Sequence, residues 1–299
     1  MLPDVLPRAT RTVLNYLTSS PRPVRLIVYG RHSADWNTAL APDAPVWNVI
    51  GQVGEVMVLP HEAPLPPSRS GWRTLILPLM EPHILACARD RHEGLMPSHH
   101  AVRTLADKAL FAYYAESHGL GRLCPPRFAS TSEAALPCVV KRHDLNGGCG
   151  VEIAESIEGL AELSGIEPWK GHPVLLQGYE PSPAQYVTHA VCRSGRILSQ
   201  VTYRQTLADG ARIRRWNTAL VQERVSPAAA WLDGIERFLR PLSYSGPCCV
   251  DYIARADGSL CVFEINPRLG GSLMMPENVG DLGALLRTLL RFARPLATG

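Results

Sequence analysis

The chain has 299 residues, 46% hydrophobic and 19% charged, with a formal net charge of +3. That is an ordinary globular balance, long enough to bury a large core without disulfides or a structural metal, and it suggests two domains or three lobes. So small a charge gives no electrostatic case for a nucleic-acid binder, which shows a concentrated basic stripe, or for the polybasic anchor of a membrane-surface protein. Among the 30 basic residues only Lys108, Lys141 and Lys170 are lysines. An arginine-favouring base composition accounts for the bias. Under it a persisting lysine is notable, because a compact ammonium and a planar guanidinium are not interchangeable. The eight cysteines form no C-x-x-C pair and no zinc spacing, and several sit in apolar runs as reduced core residues. The first residues lack the basic start and long apolar stretch of a signal peptide, and no apolar run reaches the ~20 residues of a membrane span. A cytoplasmic protein is expected.

In chain order, Arg25–Gly30, Glu55–Pro60 and Thr74–Pro78 read as short buried strands, and Pro60–Gly71 as an exposed connection. Helices are expected between and after these strands, including one over residues 81–91. Strands alternating with helices predict a parallel α/β unit. Thr104–His118 predicts one amphipathic helix, with Leu105, Ala109, Phe111 and Tyr114 buried. From Pro137 the pattern changes. Strands are expected at Cys138–Arg142, Val151–Ala154 and Val174–Tyr179, with a helix at Ser156–Leu163. Ser194-Gly195 marks a hairpin between Val187–Cys192 and Ile197–Tyr203, and Asp257-Gly258 another between Cys248–Ala254 and Ser259–Ile265. Helices close the reading at Pro227–Leu239 and Asp281–Phe292. No internal repeat is found.

The second hairpin carries chemistry. Glu264 and Asn266 lie two residues apart, so they face one side of their strand, and the turn can bring Asp251 across to them. Two carboxylates and an amide oxygen form the all-oxygen set that magnesium takes, usually completed by substrate phosphates. The neighbours Val250, Val262, Phe263 and Ile265 are apolar, and buried carboxylates without a partner are costly. The plain alternative is an edge hairpin with surface acids. Pro267-Arg268-Leu269-Gly270-Gly271-Ser272 follows at once. Its glycines let backbone N–H groups approach an anion, and its arginine grips carboxylate or phosphate.

Two further elements bear on anions. Lys141 ends a strand ahead of Asn146-Gly147-Gly148-Cys149-Gly150, a lysine and a flexible donor-rich loop suited to phosphates. It is neither a Walker motif nor a dinucleotide fingerprint. Lys108, at a helix start, either reaches an anion or solvates its helix. The backbone of Val174–Glu180 can read an adenine edge. The ten histidines show no metal spacing and read as surface or helix-cap residues.

Asp107-Lys108, Val-Val-Lys141 with its glycine loop, Val174-Leu-Leu-Gln-Gly-Tyr-Glu180, Val250-Asp251 and Phe263-Glu-Ile-Asn-Pro-Arg-Leu-Gly-Gly-Ser272 occur in this order. Together they resemble the ATP-grasp superfamily from about Leu105 onward, its carboxylate–amine ligase branch above all. The last string is the specific one. The resemblance implies an α/β Rossmann-like N-terminal domain (residues 1–103), then an ATP-grasp fold of two α+β lobes. These are a small lobe with the linker helix and glycine loop (104–180) and a large lobe with the metal and substrate site (181–299). It implies ATP and Mg2+, with Mn2+ as an allowed substitute. Lys108 and Lys141 would contact phosphates, and Asn146, Gly147, Gly148 and Gly150 would cover them. Gln177 and Tyr179 would line the adenine edge, Phe263 would pack under the base, and Glu180 or Gln185 would meet the ribose. Asp251, Glu264 and Asn266 would hold the metal, and Arg268 the acid or its acyl phosphate.

Two departures matter. The family often has an acid where Gln177 stands. In the D-alanine ligase branch an arginine stands at the position of Cys249, so Arg214 or Arg204 is expected to stabilise the transferring phosphoryl group. The resemblance implies amide or peptide bond formation between a small-molecule carboxylate and an amine, through an acyl phosphate, by a monomer or homodimer without nucleic-acid or membrane partners. The rival readings are a phosphotransferase acting on a hydroxyl and a non-catalytic nucleotide-binding subunit. The segment with Arg204, Arg212, Arg214 and Arg215 is either an active-site loop or a solvated basic face.

Overall fold

The computed structural model describes residues 22–87, 92–145, 147–208, 210–215, 218 and 220–296. Three sheets share the chain. The apolar runs of the first third form the first. β1 (Val24–Tyr29), β2 (Val53–Leu59), β3 (Arg73–Pro78) and the two-residue β4 (Glu93–Gly94) run parallel in the order β2-β1-β3-β4. Helices α1 (Ala34–Ala39), α2 (Val46–Ile50) and α3 (Glu81–Ala86) accompany them. The parallel α/β expectation is met in this sheet. Helices α1 and α2 fall between the strands as expected, without bounds in the sequence reading, and β4 is not revealed; all three are too short to show a period. The helix expected over residues 81–91 is described only as far as Ala86, and residues 88–91 lie outside the described residues.

The single helix expected over residues 104–118 is two: α4 (His99–Ala106) and α5 (Lys108–Ser117). Asp107 between them is extended, with φ −88° and ψ 123°, and its carboxylate accepts the N–H groups of Ala109 and Leu110, each at 2.9 Å. Aspartate competes with the backbone inside a helix and favours its start. Local capping therefore overrides the continuous apolar period. Leu105, Phe111 and Tyr114 are buried as expected, and Ala109 is only half-buried.

The second sheet formed along the chain is antiparallel. β5 (Arg127–Phe128), β6 (Cys138–Arg142), β7 (Val151–Ala154) and β8 (Val174–Gly178) stand in the order β5-β8-β6-β7. Cys138, Val140 and Leu176 bury one face against Leu160 of α6 (Ile157–Gly165) and Trp169. Period-two alternation then puts Val139, Lys141, Leu175 and Gln177 on the opposite face, where Lys141 pairs with Leu175 and Val139 with Gln177.

The third sheet holds β9 (Gln185–Arg193), β10 (Arg196–Leu207), β11 (Leu220–Val225), β12 (Gly246–Ala254) and β13 (Leu260–Asn266), antiparallel in the order β11-β10-β9-β12-β13. The sequence reading misses β11, because an exposed edge strand lacks the apolar alternation. On one face Ala190, Val250, Tyr252, Val262 and Ile265 pack against α4, α5 and α7 (Ala229–Leu239). On the other, Val191, Val201 and Tyr203 join the core of the first sheet. The rest of that second face carries the site.

The chain then returns to its beginning. In α8 (Val279–Phe292), Leu282, Leu285, Leu286, Leu289 and Leu290 are buried in the core of the first sheet. Each such leucine contributes about 1.5–3 kcal/mol when fully buried. β14 (Arg294–Pro295) pairs antiparallel with β4. Among the described residues no helix is long and apolar enough to cross a membrane.

Packing of α8 on α2 predicts the behaviour of Gly283. A Cβ there would lie 2.6 Å from Cγ1 of Val49. Gly283→Ala adds up to about 1 kcal/mol of helix propensity but overpacks a tight contact, at a cost of about 1–3 kcal/mol. Denaturant unfolding should show a net loss near 1 kcal/mol, recovered when Val49→Ala is added.

Candidate active site

The site grows from a bulge in the hairpin. Asp251 of β12 stands directly opposite Glu264 of β13, and Cys249 opposite Asn266. The register then shifts, so Val262 pairs with Tyr252 and Phe263 has no partner of its own. Val262 and Ile265 are both buried in the core under the sheet. The two residues between them, Phe263 and Glu264, therefore both turn to the opposite face. A bulge is a standard means of re-aiming a side chain this way. The expectation that the hairpin brings Asp251, Glu264 and Asn266 to one face holds.

The Asn266 amide nitrogen bridges the two acids, 3.3 Å from Asp251 Oδ2 and 3.2 Å from Glu264 Oε1. Burial pushes the Asp251 carboxyl up to about 6. Arg214 and Arg268 pull it down, and the neighbouring Glu264 raises it further. Glu264 goes the other way. Burial acts to raise it, but Lys108, the Asn266 amide, Lys141 and Arg214 together hold it below its usual value.

Cations reach this pair from three directions. Lys108 is buried, lies 3.8 Å from Glu264 Oε2 and donates to the Leu145 carbonyl. It does not solvate its helix. Lys141 comes from the facing sheet, its ammonium 5.3 Å from the centre of the Phe263 ring. Burial lowers its pKa, Glu264 opposes this and Lys108 reinforces it. Arg214 binds Asp251 Oδ1 at 2.9 Å and Gln205 Oε1 at 2.5 Å. Of the two arginines expected to compensate for Cys249, Arg214 is therefore at the acids, whereas Arg204 pairs outward with Glu223 across β10 and β11 at 3.6 Å.

The arginine segment is closely engaged. Arg212 lies over the Tyr179 ring at 4.4 Å, and Arg215 binds Glu152 at 2.8 Å. Gly148, at φ +75°, sits against it so tightly that a Cβ would lie 2.3 Å from the Arg214 carbonyl oxygen. The loop with Gly147 and Gly150 thus reaches the segment that holds Asp251. Asn146 lies outside the described residues.

Beyond Lys141, Gln177 lies on the same face of its sheet. It is 3% exposed, and its Oε1 is buried with no hydrogen-bond partner. The backbone donors after it are taken. Gly178 N–H binds the Pro126 carbonyl at 2.8 Å and Tyr179 N–H the Pro137 carbonyl at 3.3 Å. A backbone reading of an adenine edge there would rest on groups other than these two N–H donors, the strand's carbonyl oxygens among them. Glu180 is committed to Arg255 at 2.8 Å. Both ribose candidates stay at the site: Gln185 lies on the same sheet face as Asp251 through Val187, and Glu180 borders the same cavity as Gln185. Glu180, Gln185, Thr206, Arg212 and Ile253 help to line a cavity of about 280 Å³.

At the other end of the acids, Arg268 donates to the Leu269 carbonyl at 2.9 Å, and its Nε lies 3.0 Å from Glu81 Oε1 of α3. Sequence reasoning missed Glu81, Gln205 and His189. Glu81 has no linear signal, since it meets Arg268 only through the fold. Gln205 is a polar residue at the buried phase of β10, which alternation could have flagged. The histidines correct another expectation in part: His92 and His189 are buried, whereas His83, also buried, caps α3 as expected by accepting the Met80 N–H at 3.2 Å.

The donor set suits a divalent cation. Two carboxylates lie side by side, and rotation of the Asn266 amide would add its oxygen. No cluster of three or more His, Cys, Asp or Glu suited to a metal occurs among the described residues. A cation here would thus keep positions for water and substrate oxygens, as magnesium does. The unpartnered Gln177 Oε1 suits an amino group such as that of adenine.

No family model matches the sequence, and no curated protein matches it. Solved structures do. An L-amino acid ligase from Bacillus licheniformis is 14% identical with a TM-score of 0.61, over 91% of this chain and 75% of that one. A phosphoribosylamine–glycine ligase from Thermotoga maritima is 19% identical with a TM-score of 0.59, over 85% and 70%. A D-alanine–D-alanine ligase from Bacillus anthracis, complexed with ATP, is 13% identical with a TM-score of 0.54, over 91% and 98%. The chain has the ATP-grasp fold. In that ATP-grasp frame the acids, both lysines and Gln177 face one another between two sheets.

The raised carboxyl yields a prediction. Asp251 titrates near 6 in the folded protein against an ordinary 3.8. The native state therefore keeps a proton that the unfolded chain releases. This contribution to stability is full below about pH 4 and is lost as pH rises through about 6. Asp251→Asn should flatten the fall in thermal midpoint between these values, and an unchanged slope would contradict the geometry.

Proposed function

We propose that the protein is an ATP-dependent carboxylate–amine ligase working through an acyl phosphate and releasing ADP and phosphate. The observation that carries this reading is the meeting of Asp251, Glu264 and Asn266 with Lys108, Lys141 and Arg214, next to Arg268. A cation site beside an anion site is what phosphoryl transfer to an acid needs. The ligases that share the fold support it.

In this reading Lys108 and Lys141 bind the phosphates of ATP, and the loop with Gly147, Gly148 and Gly150 covers them. Gln177 accepts the adenine amino group, Phe263 packs under the base, Tyr179 borders it and Glu180 or Gln185 meets the ribose. Asp251, Glu264 and Asn266 hold magnesium, or manganese, which when bound neutralises phosphate charge. Arg268 holds the acid, and Arg214 stabilises the transferring phosphoryl group in place of the arginine absent at Cys249. Catalysis is positioning and electrostatics, so no nucleophilic side chain is required. A covering loop keeps water from the acyl phosphate. The substrates are small molecules, and eight cysteines without a disulfide among the described residues suit the reducing cytoplasm.

Acids crossed with amines, with products read by mass, should give ADP and phosphate only when both partners are present. A stable phosphorylated alcohol would overturn the ligase reading. Glu264→Gln should lower that turnover at least about 100-fold, and retention of the wild-type rate would remove Glu264 from the metal set. Gln177→Leu should weaken ATP binding by calorimetry about tenfold, the worth of one hydrogen bond, while Gln177→Glu, still an acceptor, should not.

A further inference from the structure

The one buried histidine beside the Gly-Gly segment has no role in the reading above. His189 lies on β9, fully buried, directly opposite Cys249 of β12. Its ring meets Tyr203 edge-on at 5.8 Å, and the Tyr203 hydroxyl is anchored on Asp281 at 2.9 Å. Gly270 lies flat on this pair of residues. A Cβ there would come within 2.4 Å of Cys249 Sγ and 2.5 Å of His189 Cε1. Two residues on, Ser272 is held twice: its hydroxyl oxygen is 2.9 Å from His189 Nε2, and its carbonyl accepts from Asn278 at 2.7 Å.

The imidazole has one partner only. Nε2 meets Ser272, and Nδ1 is buried without a hydrogen bond. If Nδ1 carried the proton, the core would contain an orphaned N–H donor. If Nε2 carries it, only a bare acceptor is orphaned, which folded proteins tolerate better. The second tautomer therefore holds. Nε2–H donates to the serine oxygen, so the serine's own proton is free to point elsewhere. Burial, reinforced by Arg214 and Arg268, pushes the imidazole pKa down to about 3, so the ring stays neutral. Ser272 follows Arg268, Leu269 and the two glycines, at the anion end of the site.

We propose that Ser272 donates its hydroxyl hydrogen bond to the substrate anion held by Arg268, and that His189 is the positioning residue that leaves this proton free. This rests on the ligase reading. No proton is transferred. The hydroxyl is a fixed dipole aimed at charge that grows as the carboxylate becomes an acyl phosphate, and such a donor acts on kcat more than on ATP binding.

The test uses the whole protein with the acid–amine pair that turns over. Ser272→Ala and His189→Asn, whose short amide does not reach the serine, should each lower kcat about 100-fold, with KM for ATP unchanged. The double variant should be no slower than either single one. His189→Gln, whose amide N–H reaches the place of Nε2, should recover most of the rate. Losses that multiply in the double variant, or a His189→Gln variant as slow as His189→Asn, would overturn the proposal. A wild-type protein without acid-dependent ADP release would instead refute the ligase reading. The hydrogen-bond arrangement is then read separately by nitrogen-15 NMR of histidine-labelled protein: a protonated Nε2 upholds it and a protonated Nδ1 overturns it.

Discussion

Two carboxylates on paired strands are the constraint around which the other parts are arranged. Asp251 and Glu264 stand directly opposite each other, where like charges repel across a sheet. Burial removes most of the water around Asp251, while Glu264 stays partly exposed. The result is an unequal pair, with Glu264 held ionised by its cations and Asp251 pushed up by burial. Such a site needs positive charge from outside the hairpin. The fold supplies it from the start of α5, a facing sheet and a crossing segment.

Each supply line is a local structural device. The Asp107 cap breaks one helix into two, which makes Lys108 the first residue of α5. Alternation on β6 places Lys141 on the face opposite the small core, together with Gln177. Gly148 permits the backbone contact that ties the glycine loop to the arginine segment, and that segment sets Arg214 on Asp251. The bulge at Phe263 turns two successive residues to one face, so the ring that would carry a base and the acid that would hold a metal are neighbours. In the proposed ligase these devices would act as electrostatic preorganisation, with charges fixed before any substrate arrives.

Much of this was legible in residue patterns. The Asp257-Gly258 hairpin, the strands at Cys138–Arg142 and Val151–Ala154 and the convergence of Asp251, Glu264 and Asn266 follow from turn chemistry and period two. What failed, failed for physical reasons. The apolar period through residues 104–118 is continuous, but a capping aspartate outweighs it. The exposed strand β11 has no alternation to read. The histidines looked superficial because linear spacing says nothing about burial, and His189 is buried by neighbours from β10, β12 and the segment after β13.

The sequence by itself determined the hairpin, the donor types and the strand and helix starts that carry Lys141 and Lys108, because these depend on neighbours within a few residues. Tertiary structure alone decided which groups are spoken for. Glu180 is committed to Arg255, Arg204 faces outward, Arg214 takes Asp251, and Glu81 meets Arg268 from the far end of the chain. Those choices follow from Coulomb attraction and burial between residues distant in sequence, and only the folded chain brings such residues together.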